Sequence, residues 1–457
     1  MQKLSLLLLF MGLSGSIWAQ AEEILEAEMQ RRQQEKINPA ISVALIYPEG
    51  PVAYRNFGGA EITEKSQYEI GSLSKTFTAE LALHLLGKKL RQPLSELLPK
   101  VDNPYLEEIR PLDLLQHQAG LPRLADDFSP ANWANPYQDY SEEKMWQELT
   151  HWEPYEMGQW AYSNWSYMIL GQIVAQQTGQ TYEQLLQSVF KKAKMNNTHF
   201  GPTAAAVAPR NLGLPSANWA FSGPSRYAGG LWSSTEDLAA FLNYQIEHNI
   251  LFQPGWVEDA IPTGLDDLGQ GKLYYKGGWF IYRPDRETEI LMHTGLTGSY
   301  SSIMAYNKTN GKGVLLLSNS LQLADDIALA YIYPKMELEK PQRNLAYDLA
   351  EKIEAGDFKK LEKWYWKNKK DDSQEDLLDI YWLERYHFGQ KNYAASGPLS
   401  NIMYKILPED WEACLIQAEN LAAQGKCKAA KKIYKKAMNM APERQEMISK
   451  KMNACKD

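Results

Sequence analysis

Apolar and polar positions change period along the chain, and each change marks an element boundary. Ile41-Ser-Val-Ala-Leu-Ile-Tyr47 and Val52-Ala-Tyr-Arg-Asn-Phe57 are short β-rich runs parted by Pro48-Glu-Gly-Pro51, a pattern that predicts a hairpin. Leu81-Ala-Leu-His-Leu-Leu86 is apolar without alternation, as in a helix buried between layers. Residues 100–270 are rich in Trp, Tyr, Pro and helical spacing with few strands, and read as a helical lobe. From Gly277 the period returns to that of strands, over Gly278–Tyr282, Glu289–His293, Tyr300–Tyr306 and Val314–Ser318. Arg283-Pro-Asp-Arg286 and Asn307-Lys-Thr-Asn-Gly311 supply the turns of this antiparallel meander, and Leu321–Tyr333 reads as a closing helix stopped by Pro334. Strands at both ends with helices between predict an α/β (α+β) fold, with one antiparallel sheet built from chain-distant halves, flanked by helices and carrying a helical lobe.

Beyond Lys335 the composition shifts to helix formers with Lys, Glu and Trp, so residues 336–457 are expected to be all-helical. Ala418, Leu421, Gly425, Ala430, Tyr434, Ala437 and Pro442 follow the spacing of a tetratricopeptide repeat, with weaker echoes around Phe358 and Tyr393. Such a tail would dock a protein partner; a plain helical tail packed on the body reads equally well. At the other end, Lys3, the apolar run Leu4–Leu13 and Ala19-Gln-Ala21 read as a cleavable secretory leader over residues 1–21. The run is too short to span a bilayer, and no cysteine follows it for lipid attachment. The expected organisation is therefore a leader, a body over 22–335 and the tail. The expected location is periplasmic or secreted, with no membrane anchor after cleavage.

Charge narrows the partners. Residues 22–335 carry 25 Lys and Arg against 36 Asp and Glu, whereas residues 336–457 carry 22 against 20. A body this acidic argues against nucleic acid. The cysteines, Cys414, Cys427 and Cys455, all lie in the tail, where one bridge is expected without the pair being specified. The seven histidines are scattered, and no Cys/His cluster has metal-ligand spacing, so neither metal nor cofactor is expected.

The candidate chemistry lies in Tyr68-Glu-Ile-Gly-Ser72-Leu-Ser-Lys75. Three residues apart on a helix, Ser72 and Lys75 share a face, so an amine can take the hydroxyl proton without a histidine. The S-x-x-K pattern should arise by chance about twice in such a chain, and it recurs at Ser141/Lys144 and Ser188/Lys191. Two downstream motifs separate Ser72 from these. Tyr162-Ser-Asn164 supplies a phenol able to share a proton with lysine and an amide able to bond both lysine and a substrate carbonyl. Tyr54-Arg-Asn56 has the same spacing but precedes Ser72. His293-Thr294-Gly295, at the end of an expected strand, can pair with an extended substrate and offer a backbone N–H to a developing oxyanion.

In this order and spacing the elements resemble the beta-lactamase-related serine hydrolases, the group holding class C beta-lactamases, D,D-peptidases and several esterases. The likeness runs from about Ile41 to Ser320. It takes in Asp113-Leu-Leu-Gln-His117-Gln-Ala-Gly-Leu-Pro122 and Ala228-Gly-Gly-Leu-Trp-Ser-Ser-Thr-Glu-Asp237. The resemblance implies a beta-lactamase/transpeptidase-like fold. It implies Ser72 as nucleophile, Lys75 as base, Tyr162 as partner acid or base, Asn164 as a substrate-positioning amide, and His293, Thr294, Gly295 and Leu296 along the cleft. The oxyanion hole would be the N–H groups of Ser72 and Leu296.

By the same likeness, beta-lactamases place a lysine where this chain has His293. A histidine is largely neutral at pH 7 and captures a carboxylate more weakly, which favours an esterase or D-amino peptidase over a dedicated beta-lactamase. The substrate is then a small molecule or peptide carrying an ester or amide. The competing expectation is a non-catalytic receptor of the same fold that keeps the cleft for a ligand and docks a partner through the tail. His117 reads as a histidine bonded to backbone, and the aromatics between Trp133 and Trp165 as lobe core rather than an acyl pocket.

Overall fold

The computed structural model describes residues 19–125, 128, 130, 132, 135–253, 259–265, 271–369 and 377–455. The expected leader up to residue 18 and Trp133 lie outside them. The chain divides into two compact units. One holds the described residues up to Asn211 and Pro215–Lys340; the other holds Leu212–Leu214 and the chain from Pro341.

The first unit is built on an eight-stranded antiparallel sheet. Its strands are β1 (Ile41–Ile46), β2 (Ala53–Phe57), β3 (Ile261–Pro262), β4 (Lys272–Lys276), β5 (Trp279–Arg283), β6 (Ile290–Leu296), β7 (Ser301–Asn307) and β8 (Lys312–Ser318). They lie in the order β2-β1-β8-β7-β6-β5-β4-β3. The hairpin β1–β2 therefore joins the meander through β1 and β8, in the register Ile41↔Ser318 to Ile46↔Gly313. The two halves of one sheet come from opposite ends of the unit, as the strand pattern predicts. The sequence pattern does not reveal β4 and the short β3, which flank a Gly-containing stretch and lack a long apolar run.

The strands of the middle read as continuous apolar runs because both faces are covered. Val43 and Leu45 of β1, Ile303 and Ala305 of β7, and Val314 and Leu316 of β8 face one core with Leu25, Met29, Ile327 and Ala328. These last come from α1 (residues 19–34) and α5 (Asp325–Ile332). Ala44, Met304, Leu315 and Leu317 face the other core, which they share with α2 (Ser74–Leu85), α3 (Asn164–Thr178) and α4 (Thr235–His248). Helix α2 buries nine of its residues, Ser74 to Ala82. Its acidic side chain, Glu80, is matched inside by Tyr244 Oη at 3.0 Å and Gln245 Nε2 at 2.9 Å. Gly278, at φ +90°, lets the sheet approach this helix: a Cβ there would stand 2.4 Å from Ala79 Cβ.

The second unit is helical hairpins. First helices begin at Leu345, Leu377 and Trp411, and each is followed by a partner, Leu361–Asn368, Tyr393–Ile406 and Cys427–Met440. That spacing is close to the tetratricopeptide period of ~34 residues. Helix Cys427–Met440 buries Cys427, Ala430, Tyr434 and Ala437, one stripe at i, i+3, i+4 spacing. Cys427 is bridged to Cys455, and Cys414 is a buried thiol.

One buried ion cluster ties α1 to α5. Arg32 is fully buried, with Nε on Glu28 Oε1 at 2.8 Å and Nη2 on Asp326 Oδ2 at 2.6 Å. Removing the cation strands the buried Asp326 carboxylate, while Glu28 keeps its pair with Arg31, so Arg32→Ala is expected to lower the stability of this unit by about 3 kcal/mol in urea unfolding. A loss under ~1 kcal/mol would show that water reaches the Asp326 carboxylate.

Candidate active site

Ser72 is held by backbone rather than by its own side chain. Tyr68–Glu69 pairs with Trp232–Ser233 in a small sheet, and Ile70 N–H donates to Leu231 O at 3.0 Å. Gly71 then turns the chain at φ +49° into a single 3-10 turn, Gly71–Leu73, that runs on as α2. Behind it, Ser302 Oγ of β7 donates to Ile70 O at 2.9 Å. Two glycines make this closeness possible. A Cβ on Gly295 would stand 2.1 Å from Ile70 O, and one on Gly71 2.9 Å from Leu296 N. Ser72 thus sits at the first turn of a long helix, against the end of β6.

That end of β6 is a partial edge. β5 pairs with Ile290–Met292 only, whereas β7 continues to Leu296. Thr294 is half-buried, and Leu296 is half exposed. Residues 293–296 therefore pair with β7 alone.

Lys75 is fully buried one turn below Ser72. Its Nζ stands 3.0 Å from Ser72 Oγ, 2.8 Å from Asn164 Oδ1 and 2.8 Å from Ala228 O. Burial, and then the like charge of Arg123, hold its pKa well below the usual amine range. The two carbonyl oxygens can only accept, so a neutral amine gives its two protons to them and turns its lone pair to the Ser72 hydroxyl. Asn164 is fixed in turn at the N-terminus of α3. Ser163 Oγ caps that helix by accepting from Ser166 N at 2.9 Å, and Asn164 Nδ2 donates to Tyr137 Oη at 3.3 Å.

Tyr162 lies across the serine. Its phenol is close enough to Ser72 for the serine to influence its titration, and its ring centre is 5.0 Å from Lys75 Nζ. Burial pushes its phenol up to about 12, against the opposing pull of Ser72 and Arg123, so it keeps its proton at neutral pH. Ser72, Lys75, Tyr162 and Asn164, spread over ninety residues of sequence, meet in one cluster.

The two histidines behave differently from a cleft cation. His293 is fully buried, with Nδ1 donating to Thr294 O at 2.7 Å and its ring 5.3 Å from Phe280. Burial, then Lys75, push its pKa down to about 3, so it is neutral. His117 is also buried, and its Nδ1 accepts from Ser163 N at 3.1 Å, in keeping with a backbone-bonded role. The rival S-x-x-K pairs have plain explanations. Ser141 caps a helix by accepting from Lys144 N, and Ser188 Oγ donates to Leu185 O. Tyr54 and Asn56 lie on β2.

A family profile described as Beta-lactamase matches residues 25–333. The chain belongs to the beta-lactamase family. As a beta-lactamase-family serine hydrolase it is 28% identical over 347 residues to a beta-lactamase of Pseudomonas fluorescens, covering 65% of this chain and 93% of that protein. It is 24% identical to the protein flp of Staphylococcus aureus (strain N315), over 66% of this chain and 62% of that one. In solved structures its fold is similar to a class C beta-lactamase, with a TM-score of 0.57 at 18% identity over 71% of this chain and 98% of that one. A beta-lactamase/D-alanine carboxypeptidase from Pseudomonas syringae gives 0.54 at 19%, over 69% and 98%. These likenesses cover the body and agree with the antiparallel sheet and lobe expected from the sequence.

Four groups at the site are not identifiable from sequence pattern. The Ala228 carbonyl opens the Ala228–Asp237 motif, but a backbone acceptor has no sequence signal. Tyr137 is one of many lobe aromatics. Arg123 directly follows the motif ending at Pro122. Glu69, three residues before Ser72, is buried and accepts from Trp219 N at 2.8 Å. Burial pushes its carboxyl up to about 7, against the pull of hydrogen bonds that include the Trp219 N–H.

Gly295→Ala should push the Ser72 turn off β6, and a thermal melt together with the rate of serine labelling should both fall; wild-type values in both would mean that Ile70 moves freely. Because the folded Glu69 pKa is raised, its stabilising contribution is complete below the unfolded value of ~4.3 and is lost as pH climbs to about 7. Glu69→Gln keeps an acceptor, so its stability relative to the parent should rise between about pH 4.5 and 7.5 in urea unfolding. A flat difference would place Glu69 in contact with water.

Proposed function

We propose that this exported beta-lactamase-family hydrolase cleaves esters or amides through an acyl-enzyme on Ser72, as an esterase or D-amino peptidase rather than a dedicated beta-lactamase. The observation that carries the reading is the hydrogen-bond set of Lys75, two acceptor-only carbonyls and the Ser72 hydroxyl around a buried amine. Lys75 takes the Ser72 proton as Oγ bonds to the substrate carbonyl carbon. The oxyanion is held by the N–H groups of Ser72 and Leu296, aided by the N-terminal dipole of α2. As the tetrahedral adduct collapses, Tyr162 passes its proton to the leaving alkoxide or amine and recovers one from Lys75. Water, activated by the same pair, then frees the acid. Asn164 steadies both Lys75 and the substrate carbonyl, while Thr294 and Leu296 line the strand edge.

The substrate preference is supported by His293. A buried neutral ring supplies no cation where the lactamases of the resemblance carry lysine. Export is supported by the leader-like N-terminus; among the described residues no helix is long and apolar enough to cross a membrane. The helical tail is proposed to dock a protein partner.

An alkyl fluorophosphonate should label the full-length protein once, and Ser72→Ala should abolish labelling. Lys75→Ala should slow it by about 100-fold or more. In the parent protein the labelling rate should fall as pH drops through the depressed Lys75 pKa, because protonation fills the lone pair. Labelling that survives Ser72→Ala would place the nucleophile elsewhere.

A further inference from the structure

Beside the cluster lies a cation, Arg123, whose charge helps to hold Lys75 deprotonated but which has no part in any proton or acyl transfer of the proposed mechanism. Arg123 is exposed, and its guanidinium carbon lies 5.3 Å from the centre of the Tyr162 ring. The same ring has Lys75 Nζ 5.0 Å from its centre, and Lys75 is hydrogen-bonded to Ser72, so one aromatic ring lies between the cation and the proposed catalytic pair. The Arg123 backbone is not free to drift. Its carbonyl accepts from Asn164 N at 2.9 Å and from Trp165 N at 3.3 Å, so the loop is anchored to the first turn of α3, which also carries the amide that holds Lys75. Pro122 O is tied to the same turn by Ser163 Oγ at 2.7 Å.

Among the described residues the guanidinium has neither an ion pair nor a side-chain hydrogen bond, and it lies over the Tyr162 ring. This is unusual in a body with eleven more acidic than basic residues between 22 and 335. A guanidinium stacked on a ring face keeps its N–H edge for another planar anion, and the match for that fork is a carboxylate bound through two oxygens.

We propose that Arg123 is the substrate-recognising cation of this enzyme, selecting substrates that carry a carboxylate close to the scissile carbonyl. The proposal rests on Ser72 being the nucleophile. It also gives the neutral, buried His293 a counterpart: the positive charge for a substrate acid comes from the lobe, not from the strand edge. An exposed charge pair is worth little by itself, but a bidentate pair against a ring is at the stronger end, and about tenfold in specificity is the expected size.

The test compares matched nitrophenyl and phenyl esters on the full-length protein. p-Nitrophenyl hemisuccinate against p-nitrophenyl butyrate places the carboxylate on the acyl side; 3-acetoxybenzoate against phenyl acetate places it on the leaving group. In the parent, kcat/KM for the acid should exceed that for its neutral match by about tenfold or more in one pair, mainly through KM, and the excess should shrink with added salt. Arg123→Ala and Arg123→Gln should bring that ratio to about one, and Arg123→Lys should restore part of it. The proposal is overturned by a parent that prefers neither acid, by a preference that survives both neutral substitutions, or by a parent that hydrolyses none of the four esters. Ser72→Ala separates the two readings. If it retains turnover, the nucleophile is misplaced; if it loses turnover while the ratio ignores Arg123, only the recognition is wrong.

Discussion

The arrangement depends on keeping one lysine out of water. An ammonium buried at full cost would either unfold its surroundings or lose its proton, and here the second outcome suits the chemistry. The acceptors that keep the Lys75 amine in place come from separate parts of the chain, the Asn164 side chain at the start of α3 and the backbone of Ala228. Each of those is fixed by its own element. The lobe, the central helix and the segment around 228 are thus tied to one nitrogen, and a shift in any of them changes the direction of its lone pair.

Around that nitrogen the packing leaves little slack. Ser72 lies on a turn pinned from behind by Ser302 and from the side by Leu231, and the approach to β6 exists only because Gly71 and Gly295 lack side chains. Close packing of this kind carries no excess flexibility, so it can hold a hydroxyl within hydrogen-bond reach of a base. The eight-stranded sheet supplies the rigidity. Joining β1 to β8 closes a layer whose halves lie more than two hundred residues apart, and both faces are then buried.

Electrostatics divide the cleft unevenly. Two histidines close to the Ser72–Lys75 cluster are buried and neutral, and a buried glutamic acid three residues from the serine has its pKa raised toward neutrality. Arg123, over the Tyr162 ring, is exposed. Around Ser72 the low-dielectric interior, which offers these buried groups no opposite charge, keeps them neutral, whereas deep in the body charge survives only in pairs such as Arg32 with Asp326.

Much of this was legible in the sequence, and the reasons are local. Residue types fix what a side chain can do, so Ser72 and Lys75, one helical turn apart, were readable as a candidate pair once Tyr162, Asn164 and His293-Thr-Gly295 were found after them in order, and the structure brings Ser72, Lys75 and Asn164 together. Strand periodicity likewise exposed β1, β2 and the meander, because alternation and turn residues are properties of short segments. Two short strands of the eight-stranded sheet were missed, since five residues such as Lys272–Lys276 carry too little pattern to stand out. What only the tertiary structure decided concerns orientation and exposure. No spacing says that His293 points inward, that a backbone carbonyl at Ala228 completes the lysine's partners, or that Arg123 stacks on Tyr162. Those depend on how distant elements pack, and the burial that sets each pKa exists only after they do.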